Sequence, residues 1–151
     1  MIQVVPSTAE HVRELRETLR ESDKKEAVAL GLDPGRATFY AFKHACYKKT
    51  ALIDGQVAAI WGLHGDLLGT VGHPYLITGT HVETISPIAF TRVYKDQVSV
   101  MRTFFPVLNG LVDAEYHGAV RILRLAGFSV SKPVSYENSS HMFRKFELLG
   151  E

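Results

Sequence analysis

A chain of 151 residues with 46% apolar and 22% charged residues has the length and make-up of one globular domain, long enough to bury a core without staples. Its formal net charge of +1 excludes bulk electrostatic attraction to nucleic acid or an anionic membrane. One cysteine, Cys46, excludes a disulfide framework and a cysteine-built zinc site.

The N-terminal stretch MIQVVPSTAEHVRELRE turns charged too early for a signal peptide, and no apolar run approaches a membrane span. These features predict a soluble, intracellular or particle-enclosed protein, and the lone cysteine fits a reducing compartment. Ile2 to Val5 is β-type and ends at Pro6. Ser7 with Glu10 three residues on has the form of a capping box, and Val12, Leu15 and Leu19 then mark one face of a helix. Arg13, Arg16, Arg20, Lys24 and Lys25 alternate with Glu10, Glu14, Glu17 and Glu21, the pattern of a solvated face and not of a nucleic-acid stripe. A short helix is expected from Lys24 to Leu30, stopped by Gly31. Asp33 and Pro34 open a third.

The pattern then turns to strands. KKTALIDGQVAAIWGL predicts a hairpin turning at Asp54-Gly55. HGDLLGTVGHP reads as a connection, and PYLITGTHVETI as one strand whose alternation puts His81 and Glu83 on the same face. Ser86 and Pro87 open a helix with the stripe Phe90, Tyr94, Val98, Met101 and Phe105, ended by Pro106. VLNGLV is strand-like, Tyr116 to Ala126 helical, and Gly127 its cap. Phe128 to Val134 and Met142 to Leu148 form a last strand pair around the polar loop SYENSSH. This order predicts a single α/β (α+β) domain over residues 1–151, with a central mixed sheet and helices on both faces.

The element order, with Ala119, Gly127 and Phe128 at their spacing, resembles the Gcn5-related N-acetyltransferase (GNAT) superfamily. In that family an Asn and a Tyr stand where this chain has Tyr116 and Leu123. The Tyr hydroxyl serves the leaving thiolate of coenzyme A, and Leu123 donates no proton. The family's glycine-rich turn also presents backbone N–H groups to the pyrophosphate. The corresponding stretch here, Glu83 to Gln97, has no glycine, and Pro87 removes a donor. The GNAT-like internal virion and morphogenesis proteins of short-tailed phages are similar in these departures, over Leu76 to Phe128.

The phage resemblance implies a virion-internal, DNA-ejection or assembly component with a degenerate site. It would bind acetyl-CoA poorly or not at all, partner with other phage proteins, and reside in the virion interior or host cytoplasm. The wider resemblance implies the alternative, an acetyl-CoA-dependent N-acetyltransferase acting on an amine of a protein or small molecule. Its base would then be His81 or Glu83, its acyl carbonyl would meet amides after Val82, and its cofactor-binding positions would be Val82, Ser86, Ile88, Tyr116 and Ala119. Neither reading includes a metal: His64 and His73 lack the spacing of a zinc motif. Cys46, after Phe39 and Phe42, is expected to be a small buried side chain.

Overall fold

The computed structural model describes residues 1–135 and 141–150; residues 136–140 of the polar loop SYENSSH lie outside the described residues. In chain order the elements are β1 (Ile2–Pro6), α1 (Ala9–Arg16), α2 (Glu21–Ala29), α3 (Pro34–His44), β2 (Tyr47–Ile53), β3 (Gln56–His64) and β4 (Val71–Thr78). A 3₁₀ turn (Thr80–Thr84) follows, then α4 (Pro87–Met101), β5 (Val107–Asp113), α5 (His117–Leu125), β6 (Ser129–Ser135) and β7 (Met142–Leu148).

The strands form one seven-stranded sheet in the order β1-β2-β3-β4-β5-β7-β6. Every neighbouring pair is antiparallel except β4 and β5. Asp54 and Gly55, at φ 51° and 81°, make the left-handed pair that a two-residue hairpin needs, and so fix the register of β2 on β3.

Two apolar clusters show that helices cover both faces of the sheet. Val12, Leu15 and Leu19 pack on Val57 and Ile60 on one side. Phe90, Tyr94, Val98 and Met101 of α4, with Val120 and Leu123 of α5, pack on Ala59, Trp61 and Leu63 on the other. Trp61 is fully buried, and its Nε1–H and the Tyr47 hydroxyl both donate to Gln97 Oε1, at 3.1 and 2.7 Å.

Several local expectations shift by a residue or more. The helix cap is Thr8, not Ser7: Thr8 Oγ1 accepts from the His11 amide at 3.3 Å, and His11 Nδ1 accepts from the Thr8 amide at 3.1 Å. Ser7 is diverted because its hydroxyl pairs with that of Thr50 at 2.9 Å. Leu19 lies beyond the end of α1, yet it is buried, held by an isolated bridge to Gly79. The connection after His64 is shorter than expected, because β4 already starts at Val71. Cys46 is exposed, at the turn into β2, and its thiol donates to the Leu63 carbonyl at 3.5 Å. No helix among the described residues is long and apolar enough to cross a membrane.

Candidate functional site

The parallel pair β4 and β5 is joined only at Val71–Val107 and Gly72–Leu108. Beyond those pairs β4 stays with β3 and β5 with β7, so the sheet opens like a V. The closed end is filled by Phe105: a Cβ on Gly72 would lie 2.5 Å from its ring, so only glycine leaves room there. Pro74 sits inside a seven-stranded sheet, which is tolerable only where no strand needs its missing N–H. The Val107 amide donates to the Thr70 carbonyl and the Thr78 amide leaves the sheet for a side chain. Backbone groups alternate along a strand, so the even-numbered residues of β4 face the opening. Pro74 brings no amide there, and Leu76 does.

A cavity of about 750 Å³ passes through this opening. On one face of the sheet it is walled by α2 and α3, on the other by α4 and α5, with Leu76, Thr78 and Val112 at its waist. It thus offers two approaches to one point, the arrangement needed when two molecules must meet.

The side under α2 is acidic. α2 buries no residue of its own. It is instead tied to the sheet by Asp23, whose carboxylate accepts from the Thr78 amide at 3.2 Å, the Thr78 hydroxyl at 2.6 Å and the Tyr116 hydroxyl at 3.2 Å. Burial raises the Asp23 pKa, against the pull of these hydrogen bonds and the nearby Arg20 charge. One turn on, Glu26 lines the same cavity. Burial, reinforced by the charges of Asp23 and Asp113 and opposed by the Asp113 backbone, pushes its pKa up to about 8. Asp113 itself is buried, accepting from the Glu115 amide at 2.9 Å and pairing with His141 Nε2 at 2.7 Å.

The opposite mouth lies between the start of α4 and α5. Pro87 has no N–H, the Ile88 amide is taken by Ser86 Oγ at 3.2 Å, and the Phe90 amide by the Ser86 carbonyl. Ala89 is left as the first-turn amide without a bond inside the helix. His117 and Arg121 of α5 line this mouth, and Leu123 presents apolar surface from among the core residues.

The sequence-predicted residues divide accordingly. His81 and Glu83 do not leave a strand on one face: β4 stops at Thr78, and Gly79 turns the chain into the 3₁₀ segment that carries both. Glu83 reaches the cavity rim, where Arg20 Nε meets its carboxylate at 3.3 Å, while His81 does not line the cavity. Val82, Tyr116 and Ala119 line it, whereas Ser86 spends its side chain as a helix cap and Ile88 is exposed to solvent. Val82 lies in the 3₁₀ turn and not in a strand, whereas alternation along β4 turns the Leu76 amide toward the opening. His64 and His73 are each tied to a backbone carbonyl, of Ala41 at 2.8 Å and of Asn109 at 3.1 Å. No group of three His, Cys, Asp or Glu among the described residues is arranged to hold a metal ion.

Sequence reasoning missed Asp23, Glu26, Thr78 and Asp113. One signal was present: α2 has no apolar stripe to hold it down, and Asp23 and Glu26 share a face at i, i+3.

No family model and no curated protein matches the chain in sequence. In fold it is similar to an acetyltransferase of the GNAT family from Streptococcus pneumoniae, at TM-score 0.68 and 13% identity over 100% of both chains. It is similar also to the GNAT domain of S. lividans PAT, at TM-score 0.70 and 13% identity, covering 97% of this chain and 90% of that one. A third likeness is yncA from Salmonella typhimurium, solved with its cofactor acetyl-CoA, at TM-score 0.68 and 10% identity over 100% and 95%. The fold is therefore the GNAT fold.

Proposed function

We propose that the protein is an acetyl-CoA-dependent N-acetyltransferase acting on an amine, with Glu26 as its base. The observation that carries this reading is the cavity through the sheet, with a carboxyl group of pKa about 8 on one side of its waist. An amine attacks an acyl carbon only after losing its proton. A base works best when its pKa lies near the working pH, and Glu26 meets that condition where an ordinary glutamate does not.

Acetyl-CoA supplies an acyl group activated as a thioester. The residues present fit its two ends unequally. The waist, with Leu76, Val112, Ile122 and Leu123, suits a thin apolar arm. Leu76 N–H faces the opening as a donor to a carbonyl oxygen. At the mouth where the phosphate end would lie, His117 and Arg121 line the cavity and Pro87 brings no N–H, so its grip comes from these side chains more than from a cradle of N–H groups. Leu123 cannot hand a proton to a leaving thiolate. Tyr116, held by Asp23 and Thr78 in the same cavity, brings the hydroxyl that does so.

The test is an assay of free thiol released from acetyl-CoA in the presence of a panel of amines, with E26Q as control. Turnover lost in E26Q and kept in His81→Ala supports the reading. A flat acetyl-CoA titration with no turnover on any amine would defeat it. That outcome would favour the phage virion-component reading, which rests on the same two departures: Leu123 and the glycine-free start of α4.

A further inference from the structure

We propose that the protein docks on an anionic lipid surface through the tip of the β3–β4 hairpin and the adjoining end of α3. The inference stands apart from the transferase reading, since it uses the closed end of the V and not the cavity.

The tip, residues 65–70, is exposed throughout. It carries Leu67 and Leu68, 58% and 96% exposed, where a turn ordinarily has polar residues. Asp66 closes the turn: its carboxylate accepts from the Leu68 amide at 2.9 Å and its carbonyl from the Gly69 amide at 2.7 Å. Two aliphatic side chains therefore stand in water on a hydrogen-bonded turn.

Behind the tip lies a basic surface. The end of α3 is fastened to β3 where the tip begins. His64 Nε2 meets the Ala41 carbonyl at 2.8 Å, and the Cys46 amide donates to the Leu63 carbonyl at 2.9 Å. Toward this end α3 exposes Phe39, Tyr40, Lys43 and His44. Lys48 and Lys49 follow, their ammonium groups over the rings of Phe42 and Tyr47 at 4.3 and 5.7 Å from the centroids. No carboxylate side chain occurs between Asp33 and Asp54, so nothing along this segment answers these charges. The acids gather at the other end of β4, where Asp23, Glu26 and Glu83 line the cavity. A net charge of +1 thus conceals two ends of opposite sign, and the attraction is local.

Leucines beside lysines and exposed aromatic rings match the interfacial zone of an anionic bilayer. The apolar groups enter below the headgroups while the cations stay among the phosphates. A nucleic acid would answer the lysines but offers aliphatic side chains no apolar medium. An acidic protein would need a pocket shaped to two leucines, whereas a fluid lipid surface needs no shape at all. β4 begins at this end and parts from β5 toward its other end, so docking leaves the open end of the V clear.

The experiment is flotation of the whole chain with vesicles of phosphatidylcholine alone, and of phosphatidylcholine mixed with phosphatidylglycerol, at low and high salt. Binding to the mixed vesicles should exceed binding to the neutral ones by about tenfold or more, and should fall at high salt. L67S/L68S and K43A/K49A should each reduce it by about tenfold or more. K24A/K25A, which removes the same charge from α2, should leave it unchanged. In L68W the emission should move to the blue on mixed vesicles, whereas wild-type emission, from the buried Trp61, should stay where it is. No binding to the mixed vesicles, equal binding to neutral ones, or wild-type binding by L67S/L68S or K43A/K49A would each overturn the proposal. Retention on heparin or an oligonucleotide without vesicle binding would overturn it too, and would make the patch a polyanion site.

Discussion

Glu26 should make the folded protein lose stability as pH rises, and the isosteric substitution E26Q should remove that loss. The sign follows from its pKa, about 8 in the folded chain against an ordinary 4.5. Below pH 4.5 the carboxyl is protonated whether folded or unfolded, and its contribution is at its full value. Between 4.5 and 8 the unfolded chain gives up the proton and the folded chain keeps it, so stability falls as pH rises. Above 8 both forms are ionised and the whole cost is present. Each tenfold change in proton affinity is about 1.4 kcal/mol, which sets a ceiling of about 5 kcal/mol for the interval. Water at the open cavity and the coupling to Asp23 reduce this to about 2 to 3 kcal/mol. In a domain of this size that is roughly 5 to 10 °C in melting temperature. The assay is urea unfolding at pH 4.5, 6.5 and 8.5. E26Q should match the wild type at pH 4.5 and exceed it by about 2 to 3 kcal/mol at pH 8.5. Parallel curves, or an E26Q chain less stable at pH 8.5, would refute the burial argument and with it the choice of Glu26 as base.

Gln97→Leu orphans the buried Trp61 N–H and the Tyr47 hydroxyl together, so denaturant unfolding should show a loss of about 2 to 4 kcal/mol. Gly72→Ala drives a Cβ into the Phe105 ring at the closed end of the V, at about 1 to 3 kcal/mol; adding Phe105→Leu should restore part of the loss in the same measurement. If the transferase proposal holds, Tyr116→Phe should lower kcat with little change in KM for acetyl-CoA, as expected of a hydroxyl that serves the leaving group and not the bound donor. On the same proposal acetyl-pantetheine should bind within about tenfold of acetyl-CoA in calorimetry, with little of the grip on the phosphates, and Arg121→Ala should narrow that gap further.

Where a local pattern alone decides the outcome, the sequence was readable. The Asp54-Gly55 hairpin, the Asp33–Pro34 and Ser86–Pro87 helix starts, and the stripe from Phe90 to Phe105 all follow from turn chemistry and periodicity, and all are present. The cap at Thr8 was obscured because Ser7 is equally suited to the task, and only the long-range partner Thr50 decides between them. The acidic side of the cavity was harder to see, because Asp23 and Thr78 are 55 residues apart and meet only when α2 folds over the end of β4. His81 and Glu83 were misplaced for a related reason. β-branched residues continue the strand pattern past Thr78, but Gly79 is held by the Ala58 carbonyl and turns the chain away. Pro74 was the most direct clue to the opening itself, since a proline inside a central strand requires a neighbour to be missing.

The parted edge of β4 also turns the backbone into a reporter. On that edge the Thr78 amide is capped by Asp23 and Pro74 has none, so strand alternation leaves the Leu76 N–H as the amide turned toward the opening between them. A ligand carbonyl accepting from it would slow the exchange of that one site with deuterated water while leaving the odd-numbered amides, already paired with β3, unchanged. A single labelled leucine would thus record, without chemistry or turnover, when the gap between the two halves of the sheet is filled.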